Sequence, residues 1–116
     1  MTSSAHQISR QRHAVTVLGR LLERASTGGL PVISWTVGTA GASVTGRCDR
    51  PSGAAERRAD YGTWRAELTA WAGSPPDTDR ESPAGSGAVY LAAQWGWAAE
   101  ARVVLAADIY PDEDAG

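Results

Sequence analysis

Val32–Gly46 reads VISWTVGTAGASVTG. A glycine-bearing loop of this kind either cradles phosphate or turns a hairpin. A phosphate loop needs a strand, the glycines and then a helix, whose free N–H groups and positive dipole end hold the anion. After Gly41 the residues alternate small apolar and hydroxyl instead, and the Lys of a nucleotide loop is missing. The stretch is therefore read as a β-hairpin turning at Gly38-Thr39-Ala40-Gly41. Paired antiparallel, Val37 is expected opposite Ala42, Trp35 opposite Val44 and Ile33 opposite Gly46. Ser34, Thr36, Ser43 and Thr45 then form a hydroxyl ladder on the other face, and the period-2 alternation holds on both strands. Gly46, bare of a Cβ, leaves room for the Trp35 indole.

On the N-terminal side, Ser4 and Gln7 have capping-box spacing. Ile8, Val15, Leu18, Leu22 and Ala25 then recur with helical period. Gly28-Gly29 and Pro31 stop the helix, which is predicted over 6–27. On the C-terminal side, Pro51 bars a strand interior and Ser52 or Gly53 caps a second helix over 54–72. Its apolar stripe is Tyr61, Trp64, Leu68 and Trp71. Residues 73–87, GSPPDTDRESPAGSG, contain no large apolar side chain and are read as a mobile loop. Two alternating runs follow, Val89–Trp97 and Val103–Tyr110. A turn at Ala98–Glu100 pairs Trp95 with Val103 and Leu91 with Ala107. Pro111–Gly116 is an acidic tail. The expected fold is a single α+β domain over residues 1–116, in the order α-β-β-α-β-β. Two amphipathic helices would cover one face of a four-stranded antiparallel sheet.

The composition fits one packed domain: 116 residues, 42% hydrophobic, five Trp and no Phe. All eleven basic residues are Arg, and the net charge is −2. Residues 1–50 carry six Arg against Glu23 and Asp49, net +4. Residues 51–116 carry five Arg against eleven acids, net −6. Such a balance argues against general adhesion to nucleic acid. Cys48 is the lone cysteine, so neither an internal disulfide nor a cysteine-based metal site is available. No apolar run is long enough to span a bilayer, and the N-terminus lacks the apolar run of a secretory leader. These features predict a cytoplasmic protein without membrane association.

Candidate chemistry is sparse. Arg47 and Arg50 beside Cys48 would lower its pKa and activate the thiol, but nucleophilic work also needs a positioned base. The two histidines, His6 and His13, are two turns apart on the first helix, too far for a helical metal pair. Glu56 and Asp60, four apart on the second helix, read as solvated charges, and Asp108 stands in a strand. No catalytic, cofactor or metal residues are assigned. Two binding surfaces are. His6, Arg10, His13, Arg20 and Arg24 share one side of the first helix, away from the stripe chosen above, as a cationic strip for an anionic partner. Tyr90, Val104 and Tyr110 make the second face of the last hairpin more apolar than water requires, and Trp97, on the other face with Leu91 and Val103, is expected to protrude at the turn; both suit a partner or a homodimer. The functional reading is a small non-enzymatic accessory or regulatory protein that binds another protein or itself. The alternative is a nucleic-acid-associated regulator using the basic strip. The third reading is an enzyme or small-ligand binder with a pocket between the second helix and the sheet.

Overall fold

The computed structural model describes residues 4–38, 43–49, 51, 53–83, 85, 87–97 and 101–110, with the side chain of Trp97 excepted. The elements in chain order are α1 (Ser4–Gly28), β1 (Ser34–Val37), β2 (Ser43–Cys48), α2 (Ala54–Ala72), β3 (Thr78–Pro83), β4 (Val89–Trp97) and β5 (Ala101–Ile109). The five strands form one sheet in the order β1-β2-β5-β4-β3. Two helices with a sheet were expected; the sheet differs from the expectation in two respects. It has a fifth strand, β3, within the segment read as a loop. It is also mixed rather than antiparallel, because β2 and β5 pair parallel at its centre.

Both helices end on left-handed glycines, as their sequences require. Gly29 has φ 64°, and Leu30 N donates to Ala25 O at 3.1 Å, which satisfies an orphan carbonyl of α1. Gly73 has φ 72°, and its N–H returns to Thr69 O at 3.0 Å. α2 keeps its predicted bounds. At its start Gly53 is the N-cap and supplies no side-chain hydrogen bond, while Ser52 lies outside the described residues. α1 already begins at Ser4, so Ser4 stands in the helix rather than before it.

The first hairpin forms as expected in kind but two residues out of register. Trp35 pairs with Gly46 and Val37 with Val44. A shift of two leaves every side chain on its predicted face, because the strand period is two. The contact at Gly46 gives the reason for the shift. A Cβ there would lie 2.8 Å from Cζ3 of Trp35 and 2.9 Å from Cδ1 of Ile33. The indole thus lies directly over the residue opposite it. Gly38 N donates to Ser43 O at 2.9 Å and closes the hairpin, and a strand rather than a helix follows the glycines. The turn itself, 39–42, lies outside the described residues.

In the second hairpin the expected register is found: Trp95 opposite Val103 and Leu91 opposite Ala107. The turn at 98–100 and the tail at 111–116 lie outside the described residues. β3 joins this hairpin as an edge strand, with Thr78 opposite Gln94 and Pro83 opposite Val89. It is exposed along its length apart from Ser82. Asp77 starts it with two bonds to β4: its N–H donates to Gln94 O at 2.7 Å, and its Oδ2 accepts from Gly96 N at 2.9 Å.

The core lies between the sheet and both helices. Ala14, Val17 and Leu21 of α1 and Trp64 and Leu68 of α2 join Val44, Ala93, Trp95, Val103 and Leu105 in one buried cluster. Since strand residues of one parity supply this cluster, the helices cover one face and leave the other bare. Trp64 spans the junction. Its ring meets Trp35 edge-on, with centroids 5.2 Å apart and planes at 77°, and its Nε1 donates to Pro31 O at 2.8 Å.

Candidate functional site

α1 holds three of the five large apolar side chains exposed among the described residues. Its buried residues are Ala14, Val17 and Leu21, with Leu18 and Ala25 partly covered. Three members of the apolar stripe assigned from sequence point the other way: Ile8 is 55% exposed, Val15 56% and Leu22 48%. The first seven residues of α1, Ser4–Arg10, are all exposed. Ile8, Val15 and Leu22 are spaced by seven, so they stack on one outer side of the helix two turns apart. Ile8 and Val15 flank a shallow groove of about 340 Å³ with Gln11, Arg12 and Thr16. At the other end, Leu22 borders a groove of about 240 Å³ that runs past Ala25, Leu30 and Val32 to Trp35 and Trp64. Val32 is 83% exposed at its rim.

The five members of the basic strip differ in exposure. Because the true core side of α1 is turned from the assumed one, the strip borders the core instead of opposing it. Arg24 Nε donates to Glu67 Oε1 of α2 at 2.7 Å, and His13 is half-buried with Nε2 shielded and without a hydrogen-bond partner. His6, Arg10 and Arg20 are exposed. An ion pair this open contributes about 0–1 kcal/mol, so Arg24–Glu67 is a tie between helices more than a source of stability.

The helix-free face of the sheet carries the other predicted surface. Tyr90, Ala92, Gln94 and Val104 are half-buried there, and Ala106 is 1% exposed. The face is braced at both ends by its own polar side chains. Arg47 pairs with Asp108 at 2.7 Å, and Arg102 Nη1 donates to Gln94 Oε1 at 3.1 Å. Tyr110 is 50% exposed beyond the end of β5, with the Arg57 guanidinium 5.8 Å from its ring centroid. Trp97 lies opposite Ala101 in β4, and its side chain is outside the described residues.

Two buried charges escaped the sequence reading. Arg57 is 6% exposed and Asp60 4%, so Asp60 is not the solvated charge its spacing from Glu56 suggested. Arg57 Nε donates to Asp108 O at 3.0 Å. The signal was present: residues 57, 61, 64 and 68 continue the α2 stripe at spacings of four, three and four. Beside them Cys48 is 1% exposed. Burial, and then the charges of Asp60 and Asp49, push its thiol up from 9.0 to about 12, the reverse of activation by Arg47 and Arg50. Burial and then Asp79 push the Tyr61 hydroxyl from 10.0 to about 12.

These two groups set an alkaline limit. Below pH 9 both the folded and unfolded chains hold the protons, and stability is indifferent to them. Above it the unfolded chain releases protons that the folded chain keeps, so stability falls as pH rises towards 12. The thermal midpoint is expected to be level near pH 8 and to decline from about pH 9. Cys48→Ala should flatten the decline between about pH 9 and 10, before Tyr61 contributes. An unchanged slope in that variant would show that the thiol is not shielded.

Among the described residues, no three His, Cys, Asp or Glu side chains are grouped to hold a metal, and no helix is long and apolar enough to cross a membrane. Comparison with protein-family models, with curated proteins and with solved structures finds no match for this chain.

Proposed function

We propose that the chain is a small non-enzymatic accessory or regulatory protein of the cytoplasm, and that it works by docking another polypeptide on the outer side of α1. One observation carries this reading: α1 buries Ala14, Val17 and Leu21 while holding Ile8, Val15 and Leu22 about half exposed at seven-residue spacing. A solvated helix face has no use for three large aliphatics in line, whereas a helix-in-groove contact reads such anchors. The grooves at both ends extend the apolar surface, and the exposed Arg12 alongside would steer an acidic partner. Tyr90 and Val104 on the bare sheet face support docking less, since their own neighbours already half-cover them. The reduced, buried Cys48 suits a reducing compartment.

A photo-crosslinking residue at position 15, expressed in the native host, is expected to capture a polypeptide. The same residue at position 70, exposed on α2, should not. Capture from position 90 with none from position 15 would move the interface to the sheet and overturn the reading.

A further inference from the structure

We infer that the polypeptide docked on α1 is a second copy of this chain, lying antiparallel across the first. The inference rests on the docking reading above and supplies its partner. The stripe is self-complementary. Rotated by a two-fold axis at Val15, it sets Val15 on Val15, and Ile8 of each copy on Leu22 of the other. An interface of this isologous kind uses the same patch twice. The ends also match. Ser4–Arg10 is exposed on every residue, and the groove bordered by Leu22 and floored by Trp35 and Trp64 lies at the opposite end of the helix. Antiparallel pairing lays the bare end of one α1 on the groove of the other and places Ile8 at its mouth.

Charge agrees with this arrangement. Arg12 and Glu23 are exposed and flank the stripe on the same side. Neither side chain makes an ion pair among the described residues. In the antiparallel pair Arg12 of one copy sits about five residues, or roughly 7.5 Å, along the axis from Glu23 of the other. Side chains on a helix lean towards its N-terminus, so these two lean towards each other. The two-fold axis makes the contact twice. Gly19, on the same side, has no Cβ to hold the second helix away.

The expected affinity is modest. A 25-residue helix is about 37 Å long, and covering one side of it buries less than the ~800 Å² per partner of a standard interface. Association in the micromolar range is what such a surface sustains.

Sedimentation velocity on the full chain, over about 1–200 µM, is expected to show a monomer–dimer equilibrium that weakens with salt. Val15→Asp should be monomeric throughout with an unchanged circular dichroism spectrum and thermal midpoint, since Val15 supports nothing inside the fold. Arg12→Glu and Glu23→Arg should each weaken the dimer about tenfold, because each turns two attractions into two repulsions. The double reversal R12E/E23R should restore it to within about threefold. A wild-type chain that stays monomeric, a dimer that survives Val15→Asp, or a double reversal that fails to restore association would each overturn the inference. The crosslink at position 15 separates this failure from that of the docking reading. An adduct of twice the chain mass supports self-association, an adduct with a different protein sinks it and leaves docking intact, and no adduct sinks both.

Discussion

Trp64→Ala is expected to lower the stability of this domain by about 3–5 kcal/mol, measured by guanidinium unfolding followed by circular dichroism. The thermal midpoint should fall by roughly 12–20 °C. The magnitude follows from position rather than from size alone. Trp64 is 1% exposed, so its whole side chain is withdrawn from water. It also joins three elements: it stands on α2, lays its ring edge-on to Trp35 of β1, and donates to the carbonyl of Pro31 where α1 hands the chain to the sheet. Truncation would open a cavity at that junction and leave the Trp35 ring without its T-shaped partner, a contact worth about 0.5–1.5 kcal/mol beyond burial. Trp64→Phe keeps much of the volume and loses the indole N–H, so a loss of about half that of Trp64→Ala is expected. A fall below about 1 kcal/mol for Trp64→Ala would mean that α2 does not anchor the α1–β1 connection.

The parts legible from sequence were those with strong local punctuation. α2 runs from Ala54 to Ala72 because Gly53 and Gly73 bound a stripe of four large residues, and both signals agree. The second hairpin keeps its register because Trp95, Leu91, Val103 and Leu105 are bulky enough that one alignment alone gathers them. In the first hairpin, alternation fixed which face each residue takes but not which of two even offsets the strands use. The choice lay in one pair: the register that sets Gly46 across from Trp35 relieves the indole, and the one that sets Val44 there does not. β3 gave no such sign. Thr78–Pro83 has no apolar alternation, because an edge strand exposed along its length has no face to bury. Its charges suit that place, blunting a free edge. Arg65 of α2 pairs with Asp79, and Arg58 with Glu81 at 3.3 Å. The parallel β2–β5 pair was hidden for another reason. Hairpin patterns say how neighbouring strands fold back, and nothing local says how two hairpins join. The long excursion through α2, β3 and β4 supplies the crossover that a parallel pair needs.

α1 was misread by about one residue of phase, and that error yields the sharpest test. Leu21→Ala is expected to cost about 2–5 kcal/mol, while Leu22→Ala, one residue on, should change the stability of the monomer by no more than about 0.5 kcal/mol. Two apolar sets interleave on this helix, and both have helical spacing. One is Ala14, Val17, Leu18, Leu21 and Ala25; the other is Ile8, Val15 and Leu22. Judged by bulk, the second set looks like the core. The sheet takes the first, where Ala14 lies fully buried and a small residue lets the helix sit close to β2 and β5. Neighbouring residues on a helix point 100° apart, so Leu21 at 0% exposure and Leu22 at 48% share a residue type and little else. Both variants should be compared at about 0.1 µM, followed by tryptophan fluorescence, where a micromolar dimer is largely dissociated. At higher concentration Leu22→Ala should lose association while Leu21→Ala loses the fold. Equal destabilisation by the two would mean that α1 turns Leu22 inward, and the outer stripe on which the docking surface is built would not exist.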